Sequence, residues 1–430
     1  YMDAVFHPNI YKDPEIFMQE GWHYELESRD DDLTINGVVY NEMKGAFSSP
    51  DDVVYREILS SLFPDNTYSV ESGGDPKVIP ELTYQEFLAF HKKYYHPCNS
   101  YIYLYGNMDM DERLDYLDRE YLSKYDKIEM DSEIKKQEPF ARPHVVDKTY
   151  PISSAEDEKD ATYLAYTFVI SDALDQELYQ AFSVLEYALF SSPGAPVRTT
   201  LLEKGIGKDI MGSFDTGMLQ PMFSVMARGA NPEDKQAFVD TVQEVLLHQV
   251  AEGIDKKALL AGINASQFQF READFGSFPK GLIFGLQCMD SWLYDENQPF
   301  VHMHGIDVLD GLRKKVDTGY FEKLIETYLL ANTHASVLMV EPKKGLVTEA
   351  EEQLKAELAE YKANMSEEEM DALIEQTKAL KEHQQEPSSK EALECLPMLK
   401  RSDLKKEARP IDLVEKEVDG IKVLHHNVFS

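Results

Sequence analysis

Apolar positions along the chain follow a helical period in most long stretches. At intervals they give way to short β-branched and aromatic runs. TYQEFLAFHKKYYHPCN has one apolar face, a cap at Thr83 and a stop before Pro97, and so predicts a helix. SYIYLYGNMD, directly after it, predicts a strand. The order helix, asparagine, strand, turn returns in YFEKLIETYLLANTHASVLMVEPKKG, with Asn332 about 233 residues beyond Asn99. That spacing is the size of one α+β domain, and it marks the ends of two similar domains.

Between these ends, EPFARPHVVDKTYPIS is a proline-containing connector. ATYLAYTFVIS and QPMFSVMARGA read as strands, and DQELYQAFSVLEYALFSS as a helix. PEDKQAFVDTVQEVLLHQVAEGI is a long helix with Gly253 in the stop position. Strands and helices that follow one another without strict βαβ alternation predict an α+β sandwich.

From about residue 346 the sequence is nearly all helix formers. Leu354, Leu358, Tyr361 and Met365 make one stripe, and Met370, Leu373, Ile374, Thr377 and Leu380 a second. Ser366 with Glu369 forms a capping box at the break between them, so the expected form is a helical hairpin whose stripes pack on each other. Pro387, Pro397 and Pro410 then lead the chain onward.

Composition narrows the function. A chain of 430 residues with 43% hydrophobic content supports more than one folded domain. Its 78 acidic and 43 basic residues give a formal net charge of −35, which repels nucleic-acid backbones and anionic membranes. The same field favours basic ligands and solubility. Cys98, Cys288 and Cys395 are far apart and have no metal-ligand spacing, which points to a reducing compartment with free thiols. No apolar run reaches the length of a membrane span. The chain starts and stops in mid-pattern, as expected of an interior piece of a longer protein.

Few residues offer chemistry. H-x-x-x-H and H-x-x-E-H, the spacings that aim two imidazoles at one ion, do not occur. His91 and His96 are five apart and point away from each other on a helix. His302 and His304 would share a strand face in FVHMHG but have no third ligand, and His425 and His426 fall on opposite faces. SGGDP, from Ser72 to Pro76, reads by itself as a tight loop. One carboxylate is out of place. In NGVVYNEMKGAFSSPDD, Val38, Val39 and Met43 are placed to face a core, and Glu42 falls on the edge of that stripe. A buried carboxylate there needs a positive partner.

GWHYELESRDDDLTINGVVYNEMKGAFSSPDD, NTYSVESGGDPKVIPELTYQEFLAFHKKYYHPCNSYIYLYGN, MLQPMFSV and FREADFGSFPKGL together resemble the presequence protease-like subgroup of the pitrilysin/insulinase zinc metallopeptidases, over essentially the whole chain. The resemblance implies an α+β fold of two related pitrilysin-type α/β sandwich domains followed by a helical hairpin. The expected divisions are an incomplete first, zinc-site domain at 1–135, a second peptidase-like domain at 143–345, a hairpin linker at 346–408 and the start of a third domain at 409–430.

By the same resemblance Glu42 is the third ligand of a Zn²⁺ ion, and Ser72, Gly73 and Gly74 line a closed chamber for unstructured peptides. The two zinc histidines and the general base belong to an H-x-x-E-H motif expected before Tyr1. The implied reaction is metal-assisted peptide hydrolysis, and this chain alone is expected to be inactive. The expected partners are unstructured, preferably basic, peptides and the N- and C-terminal remainders of the same protein, with no nucleic acid and no membrane. The location would be cytoplasmic in a bacterium, and mitochondrial or plastid in a eukaryote. The competing reading is a non-catalytic structural or peptide-binding relative on the same fold.

Overall fold

The computed structural model describes residues 1–273, 275–407 and 413–426. The chain divides into two compact units, Tyr1–Leu380 and Lys381–Ser430. The first begins with α1 (Met2–Phe6) and an antiparallel pair of short strands, β1 (His23–Glu25) and β2 (Thr34–Asn36). Helices α2 (Val38–Ala46), α3 (Pro50–Leu62), α4 (Tyr84–Tyr94) and α5 (Met110–Glu120) follow. Next come β3 (His144–Ile152), β4 (Thr162–Val169), α6 (Gln176–Glu186), α7 (Pro196–Glu203), β5 (Asp209–Asp215) and β6 (Met222–Ala230). Five helices precede the last strand of the sheet: α8 (Lys235–Glu252), α9 (Lys256–Glu272), α10 (Lys280–Trp292), α11 (Gly305–Arg313) and α12 (Tyr320–Ile325). Then come β7 (Ala335–Lys344), α13 (Leu346–Ala363) and α14 (Glu367–Gln385). The second unit holds α15 (Lys390–Glu394) and the antiparallel hairpin of β8 (Leu413–Val418) and β9 (Ile421–His426). Residues 409–412 and 427–430 of the expected third domain, residue 408 of the expected linker and Asp274 of FREADFGSFPKGL lie outside the described residues.

The five long strands form one mixed sheet in the order β3-β7-β4-β6-β5, with β3 parallel to β7 and every other pairing antiparallel. Both faces are covered, which is why ATYLAYTFVIS is a continuous apolar run and not an alternating one. Leu164, Tyr166 and Phe168 of β4 join Phe223, Val225 and Val337 on one face, packed by Phe182, Leu185, Val242, Leu259, Ile263 and Phe321 from the helices. Ala165, Val169, Met222, Leu338 and Val340 lie on the opposite face, where α3 supplies Val53, Val54, Ile58, Leu62 and Phe63. The period-two alternation of each strand thus feeds two cores.

The local helix signals hold. The Thr83–Glu86 capping box opens α4, and Ser366 with Glu369 opens α14. Helix α8 stops at Gly253. The hairpin stripes do more than pack on each other. Leu354, Leu358, Met365, Met370, Leu373 and Ile374 close around Leu26 and Leu33 of the β1–β2 hairpin, and Leu26 N donates to Thr377 Oγ1 at 3.1 Å.

Other expectations are corrected. SYIYLYGNMD forms no β ladder among the described residues. With no strand opposite its backbone, its tyrosines pack on α10: Tyr101 against Trp292 (4.5 Å between ring centroids), Tyr103 over Gly285, and Tyr105 over Gly281 and beside Phe284 (5.9 Å). Asn99 and Asn332 still do the same local work, since their side-chain amides donate to Tyr94 O (3.0 Å) and Tyr328 O (2.9 Å) of the preceding helices. FVHMHG is no strand either: Val301–His304 is a 3-10 turn. In α2 the buried pair is Tyr40 and Met43, while Val38 is exposed.

Candidate functional site

The site is built from α3 outward. This helix is fixed on the sheet by its apolar face and by its C-terminal carbonyls, which the helix itself leaves without partners. His144 Nδ1–H donates to Ser61 O and His334 Nε2–H to Leu62 O, both at 2.9 Å, and Ser61 Oγ donates to Ser336 Oγ at 2.7 Å. Burial pushes the His334 imidazole below its ordinary value, so the neutral ring donates one proton to one carbonyl.

Helix α2 ends three residues before α3 begins, and Arg56 of α3 lies over the ring of Phe47 between them (3.8 Å). At the other end of α2, Asn36 Oδ1 accepts from Gly37 N (2.9 Å) and Asn41 Nδ2 (2.7 Å), while Asn36 Nδ2 donates to Glu25 Oε2 (2.9 Å). Gly37 has φ +145°, and a Cβ there would strike the backbone of Gly21 and Trp22. The start of α2 is therefore set by a polar bracket and a close backbone crossing.

From this mounting, Tyr40 and Met43 point inward to Ile79, and Glu42 points to solvent. Its carboxylate has no hydrogen-bond or ion-pair partner among the described residues. The Ser72–Gly73–Gly74 turn lies against the same helix. A Cβ on Gly73 would overlap the sulfur of Met43, the residue next to Glu42, and one on Gly74 would press on Ile79. The structure thus joins the Glu42 helix to the 72–74 turn in one small cluster, with Ser72 exposed. It brings no histidine to Glu42. His91 accepts or donates to Tyr11 OH (2.8 Å) and donates to Val5 O (2.9 Å), and His96 Nδ1 accepts from Cys98 N (3.1 Å). Among the described residues no three His, Cys, Asp or Glu side chains converge as a metal site. One solvent-facing carboxylate suits a single ligand position and does not make a zinc site, which takes at least three protein ligands.

A second polar cluster has no motif in the sequence. Tyr179 OH donates to Asp290 Oδ2 (2.7 Å), Thr216 Oγ1 lies 3.3 Å from the same oxygen, and His302 stacks on Tyr179 (3.8 Å) while donating Nε2–H to Ala173 O (2.8 Å). Burial pushes the Asp290 carboxyl up to about 6, with the Asp215 charge adding and the two hydroxyl hydrogen bonds opposing. Its sole trace in the sequence is an aspartate among the apolar positions of GLIFGLQCMDSW.

Solved structures share this architecture. A protease from Helicobacter pylori superposes with a TM-score of 0.51 at 15% identity, covering 71% of this chain and 70% of that one. The first half of the periplasmic protease PqqL from Escherichia coli gives 0.51 at 12% identity, over 79% and 69% of the two chains. At such identities the likeness defines a fold, that of the two proteases. Sequence comparison is more specific. Residues 81–266 match the family described as Peptidase M16 inactive domain, and residues 340–430 the family described as associated with subfamily C of the same peptidases. Protein HypA of Clostridium perfringens is 47% identical over 427 residues, which are 99% of this chain and 44% of that protein. Presequence protease 1, chloroplastic/mitochondrial, of Arabidopsis thaliana is 36% identical over 438 residues, 100% of this chain and 40% of that protein. The mitochondrial presequence protease of Mus musculus is 32% identical over 423 residues, 94% and 39% of the two. The chain belongs to the presequence protease-like group of the M16, or pitrilysin/insulinase, peptidases. It spans less than half the length of these relatives.

Proposed function

We propose that this chain is the part of a zinc-dependent oligopeptidase that carries one zinc ligand, Glu42, on the wall of a chamber for unstructured peptides. The observation that supports this reading is the placement of Glu42. A family member holds a carboxylate outward, without a partner, on a helix fixed at both ends and backed by a glycine turn. Glu42 would supply one anionic oxygen ligand, with the remaining ligands and the general base coming from an H-x-x-E-H segment of the intact protein. Zinc would there supply Lewis acidity toward a peptide carbonyl and water. Ser72, Gly73 and Gly74 would form chamber wall beside the ligand.

In this reading residues 1–135 and 143–345 are two related domains, 346–408 a hairpin linker and 409–430 the start of a third domain. The single sheet spanning His144 to Lys344 supports the second of these. The acidic balance favours basic peptides. The mitochondrial and chloroplastic names of several relatives favour an organelle if the source is eukaryotic, and a bacterial source favours the cytoplasm.

The full-length protein containing this chain should cleave a fluorogenic unstructured peptide and leave a folded protein of the same composition intact. A chelator should abolish turnover and added zinc should restore it. A second reading, a non-catalytic peptide-binding relative, draws on the description of the family matched by residues 81–266 as an inactive domain. Peptide binding without turnover in the full-length protein would favour that reading.

A further inference from the structure

We propose that the pocket between the end of α9, the turn after it and α10 is a subsite for one apolar side chain of an extended peptide, with Gln287 accepting a hydrogen bond from that peptide's backbone N–H. This rests on the peptide reading above and adds what the peptide must carry.

The pocket has a volume of about 370 Å³ and is lined by Gln269, Phe270, Phe275, Phe278, Ile283 and Gln287. That room is enough for a phenylalanyl or leucyl side chain with its backbone, and the lining carries no charge. A lysine or arginine head would lose its water here and meet no carboxylate in exchange. The pocket therefore selects an apolar residue, although the overall field of the chain draws in basic peptides.

The decisive atom is Gln287 Oε1. It is buried and has no donor among the described residues. A buried carbonyl oxygen without a partner is costly, and a ligand that brings an N–H removes the cost. An extended peptide offers one beside every side chain, so apolar walls and a lone acceptor together describe a peptide residue better than a free hydrocarbon.

The walls are held by the fold. Phe270 packs on Gly305 at the start of α11, and Phe275 sets its ring edge-on to Phe284 of α10 (5.6 Å between centroids). Lys280 Nζ donates to Glu272 O (3.4 Å), tying the first residue of α10 to the end of α9. Phe278 stands at the mouth, 61% exposed, where an arriving side chain would cover it.

The probe is an unstructured Lys/Ser peptide with one benzoylphenylalanine, photo-crosslinked to the 430-residue chain and mapped by mass spectrometry. Labels should fall within residues 269–287. Because Phe278 is exposed, Phe278→Ala should leave the fold intact while lowering labelling about five- to tenfold. Methylating the backbone nitrogen of the benzoylphenylalanine should lower labelling of the wild-type chain by a similar factor, and that of Gln287→Leu no further. N-acetyl-phenylalaninamide should compete and N-acetyl-lysinamide should not. Labels that map elsewhere, or an N-methylated probe that labels equally well, would overturn the subsite and leave peptide binding standing. No label anywhere on the full-length protein would overturn the peptide reading along with it.

Discussion

The sheet region and the Glu42 region keep their shape by different means. Residues 144–344 bury a two-sided sheet under helices, with Phe168, Phe182, Phe223, Phe238 and Phe321 wholly inside. Around Glu42 the core is Tyr40, Met43 and Ile79 with a rim of partly buried neighbours, and order comes from polar brackets and from α3 lying on the sheet. The sheet region is stable because of its volume, whereas the Glu42 region depends on its attachments. A carboxylate meant to face outward needs a mounting more than a core.

The largest effect that would test this contrast is truncation in the main core. Phe182→Ala should cost about 3–5 kcal/mol, read from the denaturant midpoint of the whole transition. Tyr40→Ala should instead raise hydrogen exchange in residues 20–80 and leave the sheet strands protected. Equal loss of protection in both regions would erase the distinction.

Acidity acts on the sheet side. Asp290 has a carboxyl raised from 3.8 to about 6 in the fold, so the folded state binds its proton more tightly than the unfolded one. Its stabilising contribution is complete below about pH 4 and is lost as pH rises through 6, a change of roughly 3 kcal/mol. Asp290→Asn should flatten that dependence and raise stability at pH 7, as measured by urea unfolding from pH 4 to 8. An unchanged slope between pH 4 and 7 would remove Asp290 from the account.

The mounting itself can be strained. Gly73→Ala should cost roughly 1–3 kcal/mol by forcing Met43 aside, and Met43→Ala in the same chain should return part of it. Additive losses would mean that the turn and α2 are not coupled. A smaller change, about 1 kcal/mol, is expected for Thr377→Val, which takes the acceptor from Leu26 N.

What the sequence made legible follows the range of each interaction. The Thr83–Glu86 and Ser366–Glu369 caps act within one turn, and both stand where the sequence places them. The central strand β4 is readable because burial on both faces leaves a continuous apolar run. SYIYLYGNMD fails as a strand because a ladder is a property of two segments, and here the tyrosines find α10 instead. Tyr40 takes the inward place expected of Val38 because the bracket at Asn36 and Gly37 sets the rotation of α2, which apolar spacing cannot show. The Asp290 cluster draws Tyr179, Thr216 and His302 from distant parts of the chain, and no local pattern foretells such a meeting.

The most direct measurement is on Glu42→Gln in the full-length protein: zinc content by elemental analysis together with turnover of an unstructured peptide. An amide is a far poorer zinc ligand than a carboxylate, and the side chain faces solvent, so the fold should be unchanged while zinc is depleted. Turnover should fall by orders of magnitude and recover in part with excess zinc. Full zinc occupancy with wild-type turnover would show that Glu42 is an ordinary surface glutamate and would contradict the central claim.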